Sequence, residues 1–224
     1  MEISQEMKNS MMKTGTTLVG IVCKDGIVMG SDRQTTGGNI VLIKDSQKTV
    51  PIGNYLVYSG CGLAAAIRRT AKIVSAELRL KELRSKSRPT TRQAANLLAE
   101  IIYHNIRQPS MIPDEMGALI AGFNEDGTFE LYNIDPAGHA NKVSTYDASI
   151  GSGMPYVLGF LEREYKKDIS IKEGVELVVE SIKSSTQRDT GSGYGIDVFT
   201  ITKDGIKRAV GQEIISEYKD EKKE

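Results

Sequence analysis

The run TLVGIVCK, residues 17–24, constrains the fold more than any other stretch, because it is apolar at nearly every position instead of at alternate ones. A strand of that composition is covered on both faces, so something must pack on each side of its sheet. It is followed by Asp25-Gly26 and a second β-rich run, IVMGSDRQ. Aspartate-glycine between two such runs predicts a hairpin, since both residues tolerate φ > 0. A second hairpin is predicted from KTVPI, Gly53-Asn54 and YLVYSG, with Pro51 marking an edge or a strand end.

Helices follow. In LAAAIRRTAKIVSAELRLKELRSK, Ile67, Ala71, Val74 and Leu78 recur at steps of four and three, which puts one apolar stripe inward and the charged face in water. Arg88-Pro89 closes that segment. Ala94, Leu97, Leu98, Ile101 and Ile102 mark a second helix running to Pro109. Strand patterns return in GALIAGF and TFELYNID around a turn at 124–127, and in KVSTYDASIG up to Gly151. PYVLGFLEREY and SIKEGVELVVESIKSS are helical, the latter opening on a capping box of Ser170 with Glu173. GIDVFTITK, Asp204-Gly205 and IKRAV supply a last hairpin, and the alternating charges of EYKDEKKE read as a solvated helix end. The order is strands, two helices, strands, two helices, strands, without a repeat or composition break. It predicts one α+β domain with helices outside doubly buried sheets, a four-layer sandwich.

The 224 residues suffice for a sizeable core. The 29 basic residues balance 29 acidic ones, so no net field favours nucleic acid or an anionic membrane. Cys23 and Cys61 lack metal-ligand spacing and read as reduced thiols of a cytoplasmic protein. The leader MEISQEMKNSMMKTG has no apolar h-region, which excludes a Sec-type signal peptide, and no run reaches membrane-spanning length. His104 and His139 have no cysteine or carboxylate read at ligand spacing and are expected to be structural. TGSGYG, residues 190–195, lies between a helix and a strand, the reverse of a dinucleotide-binding context. The nucleotide, zinc-protease and esterase signatures GxxxxGK[ST], HExxH and GxSxG are absent. What remains is polar chemistry near strand ends: Thr16, Asp32-Arg33, Lys48, and the small residues of GSG and RDTGS.

Taken in order, TTLVGIVCKDGIVMGSDRQTTGG, IKDSQK, YSGCG, ASIGSGMPYVLG and QRDTGSGYGIDV resemble a proteasome β subunit of the archaeal type, from Thr16 to about Val210. The resemblance implies an αββα N-terminal nucleophile hydrolase, in agreement with the layering, that needs no metal or organic cofactor. It implies that residues 1–15 are a propeptide and 16–224 the mature domain, with Thr16 as nucleophile. A threonine hydroxyl needs a nearby base. The α-amine of a terminal Thr16, with a reference pKa of about 7.7–8.0, would be that base on the same residue. It does not exist while Thr16 is bonded to Gly15, so the leader would act as a chemical block removed by attack of Thr16 on the Gly15 carbonyl.

The same resemblance makes Lys48 the catalytic lysine, preferred over nearby Lys44, and Asp32 its carboxylate. It makes the Gly60 amide the oxyanion donor, with Ser152, Asp189 and Ser192 around the amine. Thr35, Ser46, Val50, Tyr58 and Gly62 would line the pocket for the residue N-terminal to the cut, which Tyr58 would shorten. Members often carry an acidic residue shortly after the glycine; here SGCGLAAAIRR has alanines. Implied partners are β subunits in heptameric rings, α-subunit rings, a regulatory ATPase acting indirectly, and unfolded polypeptide as substrate. A non-catalytic ring subunit is the rival reading, opposed by the complete Thr16, Asp32 and Lys48 set. A small-molecule amidase is opposed by the five motifs.

Overall fold

The computed structural model describes residues 15–110 and 114–214; the leader before Gly15 and the EYKDEKKE tail lie outside the described residues. Strands β1 (Leu18–Cys23) and β2 (Gly26–Asp32) form the first hairpin. A short hairpin, β3 (Thr35–Gly37) with β4 (Ile40–Ile43), stands apart, and β5 (Thr49–Ile52) pairs with β6 (Leu56–Gly62). Helices α1 (Ala64–Ser85) and α2 (Thr91–Arg107) follow, then β7 (Met116–Phe123), β8 (Phe129–Ile134), β9 (Ala140–Val143) and β10 (Tyr146–Asp147). Helices α3 (Met154–Glu164) and α4 (Ile171–Thr186) precede the closing hairpin of β11 (Gly195–Thr202) and β12 (Gly205–Glu213).

Two five-stranded antiparallel sheets result, one ordered β10-β1-β2-β11-β12 and the other β5-β6-β7-β8-β9. Leu18, Ile27, Met29, Val57, Leu119, Leu131 and Ile201 fill the space between them. Val19, Ile21, Val28 and Val198 face the other way and pack with Val157 and Leu161 of α3 and Val178 and Ile182 of α4. Leu56, Ile120 and Ile134 of the second sheet pack on Val74 and Leu78 of α1 and on Leu98 and Ile102 of α2. The chain is an αββα sandwich. The unbroken apolar run of β1 is thereby explained: Leu18 points between the sheets and Val19 toward the helices, so neither face meets water.

Local chemistry sets the element ends. Ser170 and Glu173 form the expected capping box, and Thr90 with Gln93 forms another on α2. Helix α1 stops at Lys86, which takes a left-handed φ of 52°, before the Arg88-Pro89 pair is reached.

Two expectations are corrected. The aspartate-glycine turns sit one residue earlier than predicted: Cys23 pairs with Gly26 and Thr202 with Gly205, leaving Lys24-Asp25 and Lys203-Asp204 as the loops. Neither Lys203 nor Asp204 has positive φ, and Gly205 at φ 106° absorbs the left-handed step that follows an ordinary turn. KVSTYDASIG is not one strand. It bends at Ser144-Thr145 and gives β9 to the edge of one sheet and β10 to the edge of the other.

Candidate active site

Asp32 ends β2 fully buried, and its carboxylate organises everything around it. Oδ1 accepts from the Thr17 amide at 2.9 Å and from Lys48 Nζ at 2.7 Å. Oδ2 accepts from the amides of Gln34 at 2.9 Å and Gly193 at 3.0 Å. Burial pushes the Asp32 carboxyl up, against the Lys48 ammonium and the amides of Thr17 and Gln34. All four partners are donors, so a proton on either oxygen would have to displace one of them. The group is therefore held as a carboxylate paired with Lys48.

Lys48 enters just before β5, its side chain 7% exposed. Besides Asp32 its Nζ donates to Thr16 Oγ1 at 3.0 Å and to the Gly15 carbonyl at 3.4 Å. Thr16 Oγ1 in turn donates to that carbonyl at 2.5 Å. A hydroxyl, a cation and a peptide carbonyl thus converge on the Gly15–Thr16 bond. Lys44 is elsewhere, with Nζ 4.9 Å from the centre of the Tyr194 ring.

On the far side of Thr16 its amide donates to Ser152 Oγ at 3.1 Å. Ser152 Oγ donates to Asp189 Oδ2 at 2.7 Å, and Ser192 Oγ donates to the same oxygen at 2.6 Å. Ser152 and the Asp189/Ser192 pair, 37 residues apart from Ser152 to Asp189, therefore meet beside the Thr16 nitrogen. Ser152 lies just ahead of α3, and the other two lie in the loop between α4 and β11. The glycine-rich stretch after Asp189 wraps the site: the Gly193 amide reaches Asp32, and Gly191 meets Gly15 backbone to backbone.

Sequence reasoning missed several supports. Thr17 Oγ1 lies 2.7 Å from Ser185 Oγ and 2.8 Å from Ser192 Oγ, tying β1 to the end of α4. Gln34 Nε2 donates to the Thr190 carbonyl at 2.7 Å, and Thr36 Oγ1 accepts the Gly15 amide at 2.8 Å. Thr49 Oγ1 donates to Ser31 Oγ at 2.8 Å and lies 2.6 Å from Ser59 Oγ, a polar link between the two sheets. Apart from Thr49 and Ser59, which face each other across the β5–β6 hairpin, each pair is distant in sequence, and only the Gly-Thr-Thr run hinted that Thr17 is more than a strand start. Cys61 abuts Thr16; burial pushes its thiol up, against the Lys48 charge and a hydrogen bond with Thr16. The two histidines are exposed and remote, His104 bonded to Glu100 at 2.8 Å.

Residues 12–201 match the proteasome subunit family as a whole. The chain belongs to that family. A proteasome subunit beta of Nanoarchaeum equitans is 40% identical over 193 residues, covering 86% of this chain and 96% of the relative. One from Methanocaldococcus vulcanius is 34% identical over 200 residues (89% and 87%), and one from Methanosarcina mazei is 33% identical over 210 residues (94% and 97%). The αββα sandwich is the fold of this proteasome family, and among the described residues no helix is long and apolar enough to cross a membrane.

Two clefts of this proteasome-family chain meet at Gly15. The larger, about 520 Å³, runs past Thr36, Asn39, Ser152, Asp189 and Gly191. The smaller, about 40 Å³, lies beside Thr16 and Lys48 and is lined by Thr35, Ser46 and Gly62 of the expected pocket, together with Gly60, Ala64 and Arg68. Val50 and Tyr58 do not line it. Both pack into the core under α1 and α2, and the Tyr58 hydroxyl lies only 2.6 Å from where a Cβ on Gly60 would be. The Gly60 amide donates to the Lys48 carbonyl at 3.3 Å, so it is engaged in the pairing of β5 with β6.

Proposed function

We propose that this chain is a catalytic proteasome β subunit, a threonine endopeptidase that first cleaves its own Gly15–Thr16 bond and then peptide bonds of other chains. The observation that carries it is the meeting of Thr16 Oγ1 with Lys48 Nζ at 3.0 Å and the Gly15 carbonyl at 2.5 Å. A surface threonine before a strand has no use for a buried cation. An inert ring subunit has no use for a buried carboxylate that three backbone amides fix in place to pair with that cation.

In the precursor, Oγ1 adds to the Gly15 carbonyl carbon while Lys48 Nζ draws charge toward its oxygen. The C–N bond breaks, the acyl group moves to Oγ1, and the proton lost by Oγ1 passes to the nitrogen, which becomes the α-amine of Thr16. Water hydrolyses the ester and releases residues 1–15 with a carboxylate on Gly15. The new amine, held at Ser152 and through it at Asp189, is then the base for the next reaction. It takes the Oγ1 proton as the hydroxyl attacks a substrate carbonyl, returns it to the leaving amine, and activates the water that cleaves the acyl-enzyme. The Lys48 charge nearby disfavours the ammonium form of that amine and keeps more of it basic at neutral pH.

The developing oxyanion needs an N–H donor toward β6. Because the Gly60 amide is engaged by the Lys48 carbonyl, the role expected of it passes to Gly62, two residues on with the same strand parity and beyond the β5 pairing, which ends at Thr49 opposite Ser59. The rest of the reading is assembly: heptameric β rings capped by α rings in the cytoplasm, a regulatory ATPase feeding in unfolded polypeptide, and selectivity by enclosure.

Thr16→Ala and Thr16→Ser test the reading in particles assembled with α subunits. The alanine variant retains its leader and hydrolyses no peptide, whereas the serine variant, which keeps a hydroxyl, processes and turns over. Peptide hydrolysis by Thr16→Ala in a ring of identical β subunits would refute it.

A further inference from the structure

The smaller cleft has a chemical bias that the rest of the site does not explain. Its lining includes two cations, Lys48 and Arg68, and no carboxylate. The Lys48 charge is matched by Asp32 at 2.7 Å. Arg68 is exposed on the first turns of α1 and makes no ion pair or hydrogen bond among the described residues. Its neighbour Arg69 points elsewhere, donating to Asn105 Oδ1 at 3.4 Å. Thr35, Ser46 and Gln47 add hydroxyl and amide groups, so Ala64 and Ile67 are the apolar side chains of an otherwise polar lining.

The direction of the reaction says which part of a substrate meets this cleft. The leaving amine must depart toward the group that protonates it, the Thr16 nitrogen, which sits against Ser152 at 3.1 Å. Ser152 and Asp189 line the larger cleft. The acyl half therefore lies on the opposite side of Thr16, with its last side chain in the smaller cleft. Leucine there would desolvate hydroxyls and a guanidinium without replacing their hydrogen bonds. Lysine would meet an unmatched like charge. A carboxylate would receive a charge-assisted hydrogen bond from Arg68 and further ones from the hydroxyls.

We propose that this cleft selects an acidic side chain on the residue whose carbonyl is attacked, and that Arg68 is the residue that reads it. The inference rests on the hydrolase reading above and deepens it by naming a substrate class: cleavage after glutamate or aspartate. The leader stands outside this rule: Gly15 has no side chain, and a Cβ there would face Gly191 of the larger cleft instead of the smaller one.

The test uses mature particles assembled from the full chain with α subunits and four fluorogenic peptides that differ only in the residue before the reporter amide: Glu, Gln, Leu or Lys. The glutamate peptide is expected to exceed the isosteric glutamine peptide in kcat/KM by about tenfold at low ionic strength, a ratio that shrinks as salt screens the charge. Arg68→Gln should bring the ratio close to one. Arg69→Gln, which removes the same charge one residue away, should preserve it. A wild-type ratio near one, or a ratio that survives Arg68→Gln, overturns the proposal while leucine-peptide hydrolysis leaves the hydrolase reading standing. Failure to cleave any of the four, with the leader retained, defeats both.

Discussion

Gly15→Ala is the perturbation whose effect can be worked most directly from the structure. A Cβ at position 15 would lie 2.0 Å from Gly191 Cα and 2.6 Å from the Gly191 carbonyl carbon and oxygen, where ordinary contact begins at 3.4 Å. The two backbones would have to part by about 1.4 Å, the difference between 3.4 and 2.0. Gly191 cannot yield freely, because its amide donates to Asp189 Oδ1 at 3.1 Å and Asp189 holds Ser152 and Ser192. The shift therefore falls on Gly15, whose carbonyl must stay within reach of Thr16 Oγ1. A misplacement of about 1 Å at reacting atoms costs roughly a hundredfold in rate. Leader removal, followed by intact mass after assembly with α subunits, should slow by about that factor. Once the leader is gone residue 15 is gone with it, so turnover per mature site should equal wild type. Gly191→Ala makes a useful contrast: its Cβ would meet Gly15 Cα at 2.4 Å, a clash that maturation removes, and Ser152 Oγ at 2.8 Å, a clash that persists. It should slow processing and leave a smaller defect in peptide hydrolysis. Processing of Gly15→Ala at the wild-type rate would refute the close-approach argument.

Three further outcomes follow from the same geometry. Lys48→Met should lower peptide hydrolysis by about 10²–10⁴-fold; stranding buried Asp32 should also cost about 3–5 kcal/mol of stability, visible as a lower melting temperature, and full activity would show that Lys48 only holds the fold. The pH profile of kcat/KM should rise through the pKa of the Thr16 amine, since only the neutral form is a base, with its midpoint below the reference of about 7.7–8.0 because the Lys48 cation opposes protonation; a midpoint above that range would place the cation elsewhere. Burial, with Asp25 and Glu173 nearby, pushes the Cys23 thiol up to about 12, and burial raises Cys61 as well, so neither should react with iodoacetamide at pH 8 until the chain is unfolded.

The layering was legible because β1 and the helical stripes carry their burial in their periodicity: a run apolar on both faces demands a layer on each side. The turn positions were not. Lys-Asp-Gly is compatible with a loop at either pair of residues, and the choice depends on the backbone angles of Gly205, which composition does not record. The break at Ser144-Thr145 was invisible because each half continues to look like strand; only the competition of two sheet edges divides it. At the site, Thr16, Asp32, Lys48, Ser152, Asp189 and Ser192 lie together, and Lys48 is distinguished from Lys44 by the carboxylate it meets. The pocket was harder. Tyr58 shares strand parity with Gly60 and Gly62, yet the missing Cβ of Gly60 lets its ring fold under α1 instead of into the cleft. Arg68 enters the lining because α1 turns it there, four residues into a helix whose start lacks a side-chain cap to announce it.

The central claim is that the Gly15–Thr16 bond is cut by the hydroxyl beside it, which turns an inert amide into a catalytic amine. Intact mass and N-terminal sequence of hydrolytically active particles test it most directly. The account predicts a chain beginning at Thr16 in wild type and the full leader in Thr16→Ala; an active particle whose β chains all retain residues 1–15 would contradict it.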